Sequence, residues 1–322
     1  MKYVMYGAGA IGGAIGARLA MAGRDVTLIA RGAHLEALQA RGLHYRNPAV
    51  NEVVRPQAVG HPRDIDWQPD HVVFLTMKSQ HTFGALQDLA ATAPPEVPVI
   101  CCQNGIANER LALRQFTNTY AMVVFLPAAH LAPGEVVHYA HDSGGLLDAC
   151  RFPAGVDEII RRVTQDLTLA GYTADATDRA VPLKYAKLLQ NLGNSLQAVC
   201  DNPGDARDIM KLLRDEALAA YAEAGIESAT RDEMTDRAGH MGAGEVAGVP
   251  RSGGSSWQSL TRGTGDIESD YLNGEISLLG RLHGVPTPAN DLLCQLANEA
   301  AREGRKPGSL STADLRAKLA VR

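Results

Sequence analysis

Hydrophobic and polar positions in the N-terminal half of the chain follow a pattern typical of strands that alternate with helices. Runs that are apolar on both faces occur at 2–6 (KYVMY), 25–30 (DVTLIA), 71–77 (HVVFLTM) and 97–102 (VPVICC). Amphipathic helical segments lie between the first three runs, at 10–22 and 33–40. Strands that are buried on both faces and separated by helices are typical of a parallel sheet covered on both sides. We therefore predict an α/β fold for this half.

The pattern changes twice further along the chain. Between residues 120 and 152, the short runs MVVFL, EVVHYA and LLDACRF predict extra strands, and residues 157–170 predict a helix. From about Arg179 only helical patterns remain, at 181–200, 206–224, 231–238, 267–283 and 289–303, with a Gly/Ser-rich stretch at 242–259. A chain of 322 residues is long enough for two cores. We predict an α/β domain at 1–178 and an all-α domain at 179–322, with the boundary near Asp178.

Composition narrows the class of protein. The net charge is −5 and no basic cluster stands out, so nothing indicates a nucleic-acid partner. No apolar run approaches the roughly 20 residues of a membrane span, and we expect neither a membrane segment nor a secretory signal. The five cysteines show neither C-x-x-C pairs nor zinc spacing, which predicts reduced thiols in a cytoplasmic protein without a metal site.

A glycine-rich loop follows the first predicted strand and opens the first predicted helix. Its sequence YGAGAIGG fits G-x-G-x-x-G, in which successive glycines permit a tight turn, close approach of a pyrophosphate and close helix–strand packing. The helix N-terminus favours the negative charge of the phosphates. The alternative is a glycine turn with a structural role only. The loop residues predicted to bind a dinucleotide are Gly7, Ala8, Gly9, Ala10, Ile11 and Gly12.

Residues after the next strands extend this cofactor site. NAD-binding loops usually have an acid at the end of the second strand, but this chain has Ala30 and Arg31 there. A guanidinium suits a 2′-phosphate, which favours NADP, although Arg31 could be an ordinary exposed arginine. Lys78 and Asn104 follow the strands at 71–77 and 97–102, at the sheet edge where such folds bind ligands. Asn104 precedes a glycine and could equally belong to a simple turn.

The helical half contains a polar stripe on a leucine-rich helix. In KLLQNLGNS, Lys187, Asn191 and Ser195 stand four residues apart and therefore share one helix face. Taken alone, such a stripe is typical of a solvated helix surface. A buried lysine with a lowered pKa could instead protonate a ketone oxygen during reduction.

These motifs, in this order, resemble the ketopantoate reductases (2-dehydropantoate 2-reductases). The resemblance covers GAGAIG, Arg31, Lys78, QNG at Asn104, KLLQN, and the segment SSWQSLTRGTGDIESDYLNGEI. It implies an N-terminal Rossmann domain, an all-helical C-terminal domain, and NADPH-dependent reduction of a 2-keto acid in pantothenate biosynthesis. The family places the catalytic acid at Lys187 and substrate contacts at Asn191 and Ser256.

The resemblance also assigns the remaining site residues. It implies that Arg31 and Lys78 hold the adenosine-phosphate end of the cofactor, with Asn104 near the nicotinamide and Glu268 at the cofactor–substrate junction. Ser255 and Ser256, at a predicted helix start, could bind a substrate carboxylate with help from backbone N–H groups. Without the resemblance, GGSSW would be interpreted as a flexible loop. A backbone contact to the cofactor is expected within 128–130.

Two departures from the family concern the substrate. Ser195 stands where the family often has a second asparagine, and Trp257 where a smaller methionine is common. Because both would border the substrate pocket, the identity of the 2-keto acid stays open between ketopantoate and a related compound. We include Ser195 among the predicted substrate-binding residues.

Other classes of protein remain as alternatives. A β-hydroxyacid dehydrogenase also uses Lys-x-x-x-Asn, but its glycines shortly before the lysine are absent from RAVPLKYAK. An opine dehydrogenase is a more distant alternative. A non-catalytic NADPH sensor would not need the polar set around Lys187. The residues leave the oligomeric state open, a homodimer included.

Overall fold

The computed structural model describes residues 1–140, 144–239, 244–249, 253–263 and 265–320. Their contacts divide the chain into two compact units, Met1–Leu183 with Thr230–Arg251, and Lys184–Ala229 with Ser252–Arg322. The chain thus leaves the first unit a few residues after the predicted boundary at Asp178. The segment from Thr230, which the sequence analysis had placed in the helical domain, is grouped with the first unit.

The described strands all belong to the first unit. They are β1 (Lys2–Tyr6), β2 (Asp25–Ile29), β3 (Leu43–Arg46), β4 (Asn51–Val54), β5 (Gln57–Val59), β6 (His71–Leu75), β7 (Val99–Cys101), β8 (Thr119–Met122), β9 (Ala128–Ala129), β10 (Glu135–His138) and β11 (Ala149–Arg151).

The main sheet has the strand order β11-β8-β7-β6-β1-β2-β5. Its strands are parallel except β11, which runs antiparallel to β8. Alternate residues of β1 enter different cores, Tyr3 and Met5 on one face and Val4 and Tyr6 on the other. This two-sided burial explains the continuous apolar runs and confirms the predicted α/β fold with a parallel sheet.

A second sheet, of order β4-β3-β10-β9, was not predicted as such. Only β10 corresponds to a predicted run, EVVHYA. Strand β4 is largely exposed, and β9 is two residues long, so neither carries the apolar pattern that reveals a buried strand. The predicted strand at MVVFL is displaced, because β8 ends at Met122.

Helices surround the main sheet in the first unit and make up nearly all the regular structure of the second. They are α1 (Ala10–Met21), α2 (Gly32–Arg41), α3 (Thr82–Ala90), α4 (Ala107–Leu113), α5 (Glu158–Leu169), α6 (Ala180–Asn191), α7 (Gly193–Val199), α8 (Arg207–Glu223), α9 (Arg231–Ala238), α10 (Ser255–Arg262), α11 (Asn273–His283), α12 (Pro288–Arg302) and α13 (Thr312–Ala320). Short 3₁₀ helices lie at Pro62–Asp64, Ser79–His81, Pro203–Asp205 and Glu268–Tyr271.

The helices differ in part from those predicted. The segment expected to be one helix over 181–200 is divided into α6 and α7 at Leu192, next to Gly193, a poor helix former. At this break the Asn273 side chain donates to the Leu192 carbonyl at 3.2 Å. The segment 267–283 begins as a 3₁₀ helix before α11. Helix α10 starts within the Gly/Ser-rich stretch 242–259, of which 242–243 and 250–252 lie outside the described residues, and α13 was not predicted.

Candidate active site

The glycine loop between β1 and α1 combines a tight turn with close packing against the neighbouring strand end. Gly7 has φ +103°, a left-handed conformation that favours glycine, and a Cβ there would lie 2.8 Å from the backbone nitrogen of Met77. A Cβ at Gly12 would overlap the Thr76 hydroxyl and lie 2.5 Å from the Gly7 carbonyl oxygen. A Cβ at Gly9 would meet no neighbouring atom within 4 Å in the part of the chain that the structure describes. The loop is therefore tightly packed on one side and open at Gly9, where a pyrophosphate needs to approach the backbone.

Thr76 joins this loop to the neighbouring strand. Directly after β6, its hydroxyl lies 3.1 Å from the carbonyl oxygen of Tyr6 and 2.9 Å from that of Gly7, and donates to these acceptors. Thr76 was not among the residues predicted from the sequence. The rule that sheets of this class bind ligands beyond their strand ends could have identified it.

Arg31 lies at the carboxyl end of β2 and is the N-cap residue of α2. Its side chain is 74% exposed, and its guanidinium lies 3.9 Å from the Asp88 carboxylate. The same carboxylate lies 3.4 Å from His61 Nε2 and 3.5 Å from the Tyr6 hydroxyl. Since an exposed ion pair at this separation is weak, the guanidinium can turn toward a phosphate at low cost.

Lys78 and Asn104 lie on two neighbouring loops, after β6 and β7, and both are half-buried. Buried side chains connect the two loops by hydrogen bonds of 3.1, 2.8 and 3.0 Å, in the order Gln103, Thr82, Asn108 and Ser79. Because this network fixes the residues adjacent to Lys78 and Asn104, both are held at the same edge of the sheet as the glycine loop.

The catalytic candidate Lys187 lies on α6 in the second unit. Burial of its ammonium group and the positive charge of Lys184 lower the pKa of Lys187 to about 7, and the Glu268 carboxylate opposes them. Lys184 itself is buried, one turn earlier on the same helix. Lys187 is therefore close to half-protonated at neutral pH, which suits a group that donates a proton.

Glu268 belongs with Lys187 in this unit. It is buried in a 3₁₀ helix, and the Ser255 hydroxyl donates to its carboxylate at 3.2 Å. The structure thus brings Lys187, Glu268 and Ser255 together. The resemblance had implied that Glu268 lies at a cofactor–substrate junction, and that contact remains a prediction.

Two further substrate candidates have unused hydrogen-bonding capacity. The Oδ1 atom of Asn191, one turn after Lys187, and the Oγ atom of Ser256 are both buried and have no hydrogen-bond partner among the described residues. Ser255 and Ser256 are the first residues of α10, as the predicted helix start requires. Buried polar atoms are normally satisfied, so such exceptions are typical of groups that receive a ligand or water.

Ser195, predicted to contact substrate, is placed differently. It is completely buried, and its hydroxyl lies 2.8 Å from the Ser269 hydroxyl and 2.6 Å from Asn273 Oδ1. Asn273 in turn donates to Asn290 Oδ1 at 3.1 Å. The structure therefore shows the Ser195 hydroxyl in contact with protein groups. The family resemblance included Asn273 without giving it a role, and Asn290 was not predicted because a buried asparagine has no periodic signal of its own.

Trp257 is half-buried and packs over Gly253, where a Cβ would lie 2.7 Å from the indole Cγ. Residues 128–130 comprise β9 and His130, and the expected backbone contact to a cofactor there remains a prediction. Within the described ranges, no helix is both long and apolar enough to cross a membrane. A search of the same ranges finds no cluster of three or more His, Cys, Asp or Glu residues suited to a metal ion.

The fold and these residues define a nucleotide-dependent oxidoreductase. The chain belongs to the ketopantoate reductase PanE/ApbA family, whose model matches residues 3–145 and whose C-terminal model matches residues 184–301. The 2-dehydropantoate 2-reductase of Mesorhizobium japonicum is 29% identical over 94% of this chain and 98% of its own length.

Solved structures agree with this assignment. The crystal structure of a PanE/ApbA family ketopantoate reductase from Ralstonia eutropha covers 95% of this chain and 100% of its own, with a TM-score of 0.78 and 25% identity. A D-mandelate dehydrogenase bound to NADH and anilino(oxo)acetate has a TM-score of 0.80 at 23% identity, over 94% of this chain and 99% of its own. The second likeness concerns the fold only.

Proposed function

We propose that this protein is a cytoplasmic enzyme of pantothenate biosynthesis that reduces 2-dehydropantoate to pantoate with NADPH. One observation carries the proposal: a lysine with its pKa near 7 faces a buried carboxylate in the unit that also holds two unpartnered buried polar atoms. Reduction of a ketone needs a proton donor for the developing alkoxide and polar groups that orient the substrate. Lys187 supplies the first, and Asn191 and Ser256 supply the second.

The residues of the first unit fit a dinucleotide. The open space at Gly9 suits the pyrophosphate, and the first N–H groups of α1 can bind its oxygens. Arg31, exposed where NAD-binding proteins usually have an acid, is expected to bind a 2′-phosphate together with Lys78. We propose that Asn104 contacts the nicotinamide end. NADPH supplies the hydride when bound.

The residues of the second unit bind and protonate the substrate. In its ammonium form, Lys187 stabilises negative charge on the carbonyl oxygen and donates a proton to it through Nζ. Glu268 favours that charged form and holds the Ser255 hydroxyl. Ser256, at the N-terminus of α10, can bind the substrate carboxylate through its hydroxyl, with help from the backbone N–H groups of Ser255 and Ser256. Asn191 orients the keto acid from the same helix face as Lys187.

A reductase of a different 2-keto acid is the second candidate. It is favoured by Ser195 and Trp257, which replace the asparagine and methionine that the family often has. A D-mandelate dehydrogenase bound to anilino(oxo)acetate has a similar fold. Because Ser195 is engaged with Ser269 and Asn273, we propose that it shapes the pocket through the helix packing.

The deciding experiment is NADPH oxidation by the purified protein against a panel of 2-keto acids that includes ketopantoate and an aryl 2-keto acid. Ketopantoate should give the highest kcat/KM. Lys187→Ala should abolish most of the activity. Lys211→Ala is the matched control, because Lys211 is an exposed lysine paired with Asp215. Activity on another 2-keto acid at least about a hundredfold above that on ketopantoate would overturn the substrate and leave the reductase assignment in place.

A further inference from the structure

His34 connects three parts of the predicted cofactor site. It lies in the first turn of α2, three residues after Arg31. Its Nε2 lies 2.7 Å from the carbonyl oxygen of Ala8 in the glycine loop. Its Nδ1 accepts a hydrogen bond of 2.9 Å from the backbone N–H of Gly134, in the turn between β9 and β10. Its ring also packs against that of His130, with 4.2 Å between the ring centroids.

The two hydrogen bonds determine the protonation state of this ring. Because Nδ1 accepts from an N–H group, it carries no proton, and Nε2 must carry the proton that it donates to Ala8. Only the neutral imidazole with this tautomer satisfies both bonds. Burial lowers the pKa of His34 and so favours the same neutral form.

The bond to Ala8 bears on the geometry of the phosphate-binding loop. A peptide unit is planar, so holding the Ala8 carbonyl also fixes the orientation of the Gly9 N–H in the same plane. Gly9 is the N-cap residue of α1, and the N–H groups that follow it are those available to a pyrophosphate. The same imidazole is carried by the helix whose N-cap is Arg31.

We propose that His34 is a positioning residue that holds the glycine loop and Arg31 in the relative arrangement needed to bind the adenosine diphosphate part of the cofactor. The inference rests on the proposed use of a nicotinamide dinucleotide. His34 is expected to act on cofactor binding through Ala8 and α2, and not through contact with the reacting atoms.

The test separates the two hydrogen bonds of the ring. His34→Gln places an amide N–H near the former Nε2 and can still donate to Ala8, whereas His34→Asn places an oxygen near the former Nδ1 and can still accept from Gly134. His34→Ala removes both. Titration of NADPH and of NADH by fluorescence should show weaker binding to the Ala and Asn variants, by about five- to tenfold for each cofactor, and near-normal binding to the Gln variant. At saturating NADPH, kcat should change by less than about twofold, so that the effect falls on KM.

Gln39→Ala is the matched control. Gln39 also lies on α2 and also donates to a backbone carbonyl, but this bond leads to Ala58 in β5 and not to the glycine loop. Its loss should leave both affinities unchanged. Normal NADPH binding by a folded His34→Ala variant would overturn the inference. Normal binding by His34→Asn together with weakened binding by His34→Gln would also overturn it. If the His34→Ala variant does not fold, the difference in NADPH affinity between His34→Gln and His34→Asn tests the inference. Absence of NADPH binding by the wild-type protein would instead overturn the proposed function.

Discussion

The pH dependence of catalysis should report directly on Lys187. Its charged form is the proton donor, and with a pKa of about 7 that form is present at acidic pH and lost as the pH rises. About half of the lysines are protonated at pH 7 and roughly a tenth at pH 8, so kcat should fall about tenfold per pH unit on the alkaline side. An ordinary exposed lysine, with a pKa near 10.4, would show no decline below pH 9.

Substitutions of two residues near Lys187 should shift its pKa in opposite directions. Lys184→Met removes a positive charge that lowers the pKa of Lys187, so the decline in kcat should move to higher pH. Glu268→Gln removes the negative charge that raises this pKa and should move the decline to lower pH. Lys187→Arg keeps a positive charge but cannot release a proton in this range. It should reduce kcat by about 10²- to 10⁴-fold and leave a flat profile.

The assay is NADPH oxidation at saturating NADPH and ketopantoate between about pH 5.5 and 9.5, a range that brackets the pKa of about 7 of Lys187. Thermal unfolding at each pH verifies that the variants are folded, which matters for the buried Lys184. A wild-type kcat that stays constant from pH 6 to about 9 would refute the role of Lys187 as the general acid. Shifts of the same sign in the Lys184 and Glu268 variants would refute the electrostatic explanation.

Three further predictions address the cofactor and the helical unit. Arg31→Ala should weaken NADPH binding by about 1.5–3 kcal/mol and leave NADH binding nearly unchanged. If the ratio of the KM values for NADPH and NADH is unaltered, the preference for NADPH is contradicted. Gly12→Ala should lower the melting temperature, because its Cβ would lie 2.5 Å from the Gly7 carbonyl oxygen. Gly9→Ala should preserve the melting temperature and weaken NADPH binding. Equal effects of the two substitutions on stability and on binding would refute these separate roles. Ser195→Asn should destabilise the protein by about 1–3 kcal/mol in urea unfolding, since the site is fully buried. A stable variant with altered substrate preference would contradict this expectation and support Ser195 as a substrate contact.

Much of the proposed cofactor site could be predicted because its signal is local. The glycine loop spans six residues between a strand and a helix, and the roles predicted for Gly7 and Gly12 follow from backbone conformation and close packing within that short segment. Arg31 was recognisable by its position after a strand. Lys187 and Asn191 share a helix face because they stand four residues apart, a relation that helix geometry imposes.

The sequence by itself determined the α/β class, the parallel sheet and the placement of polar residues at strand ends, since continuous apolar runs and helix periodicity record which faces are buried. Only the tertiary structure decided which partners those residues have. Glu268 opposes the lowered pKa of Lys187 and Ser269 binds Ser195, although both lie far from their partners along the chain. His34 is an unremarkable helix residue in the sequence and binds Ala8 only because α2 packs beside the glycine loop. Local patterns specify secondary structure and burial, whereas hydrogen-bond partners and pKa values depend on groups that meet only when the chain has folded.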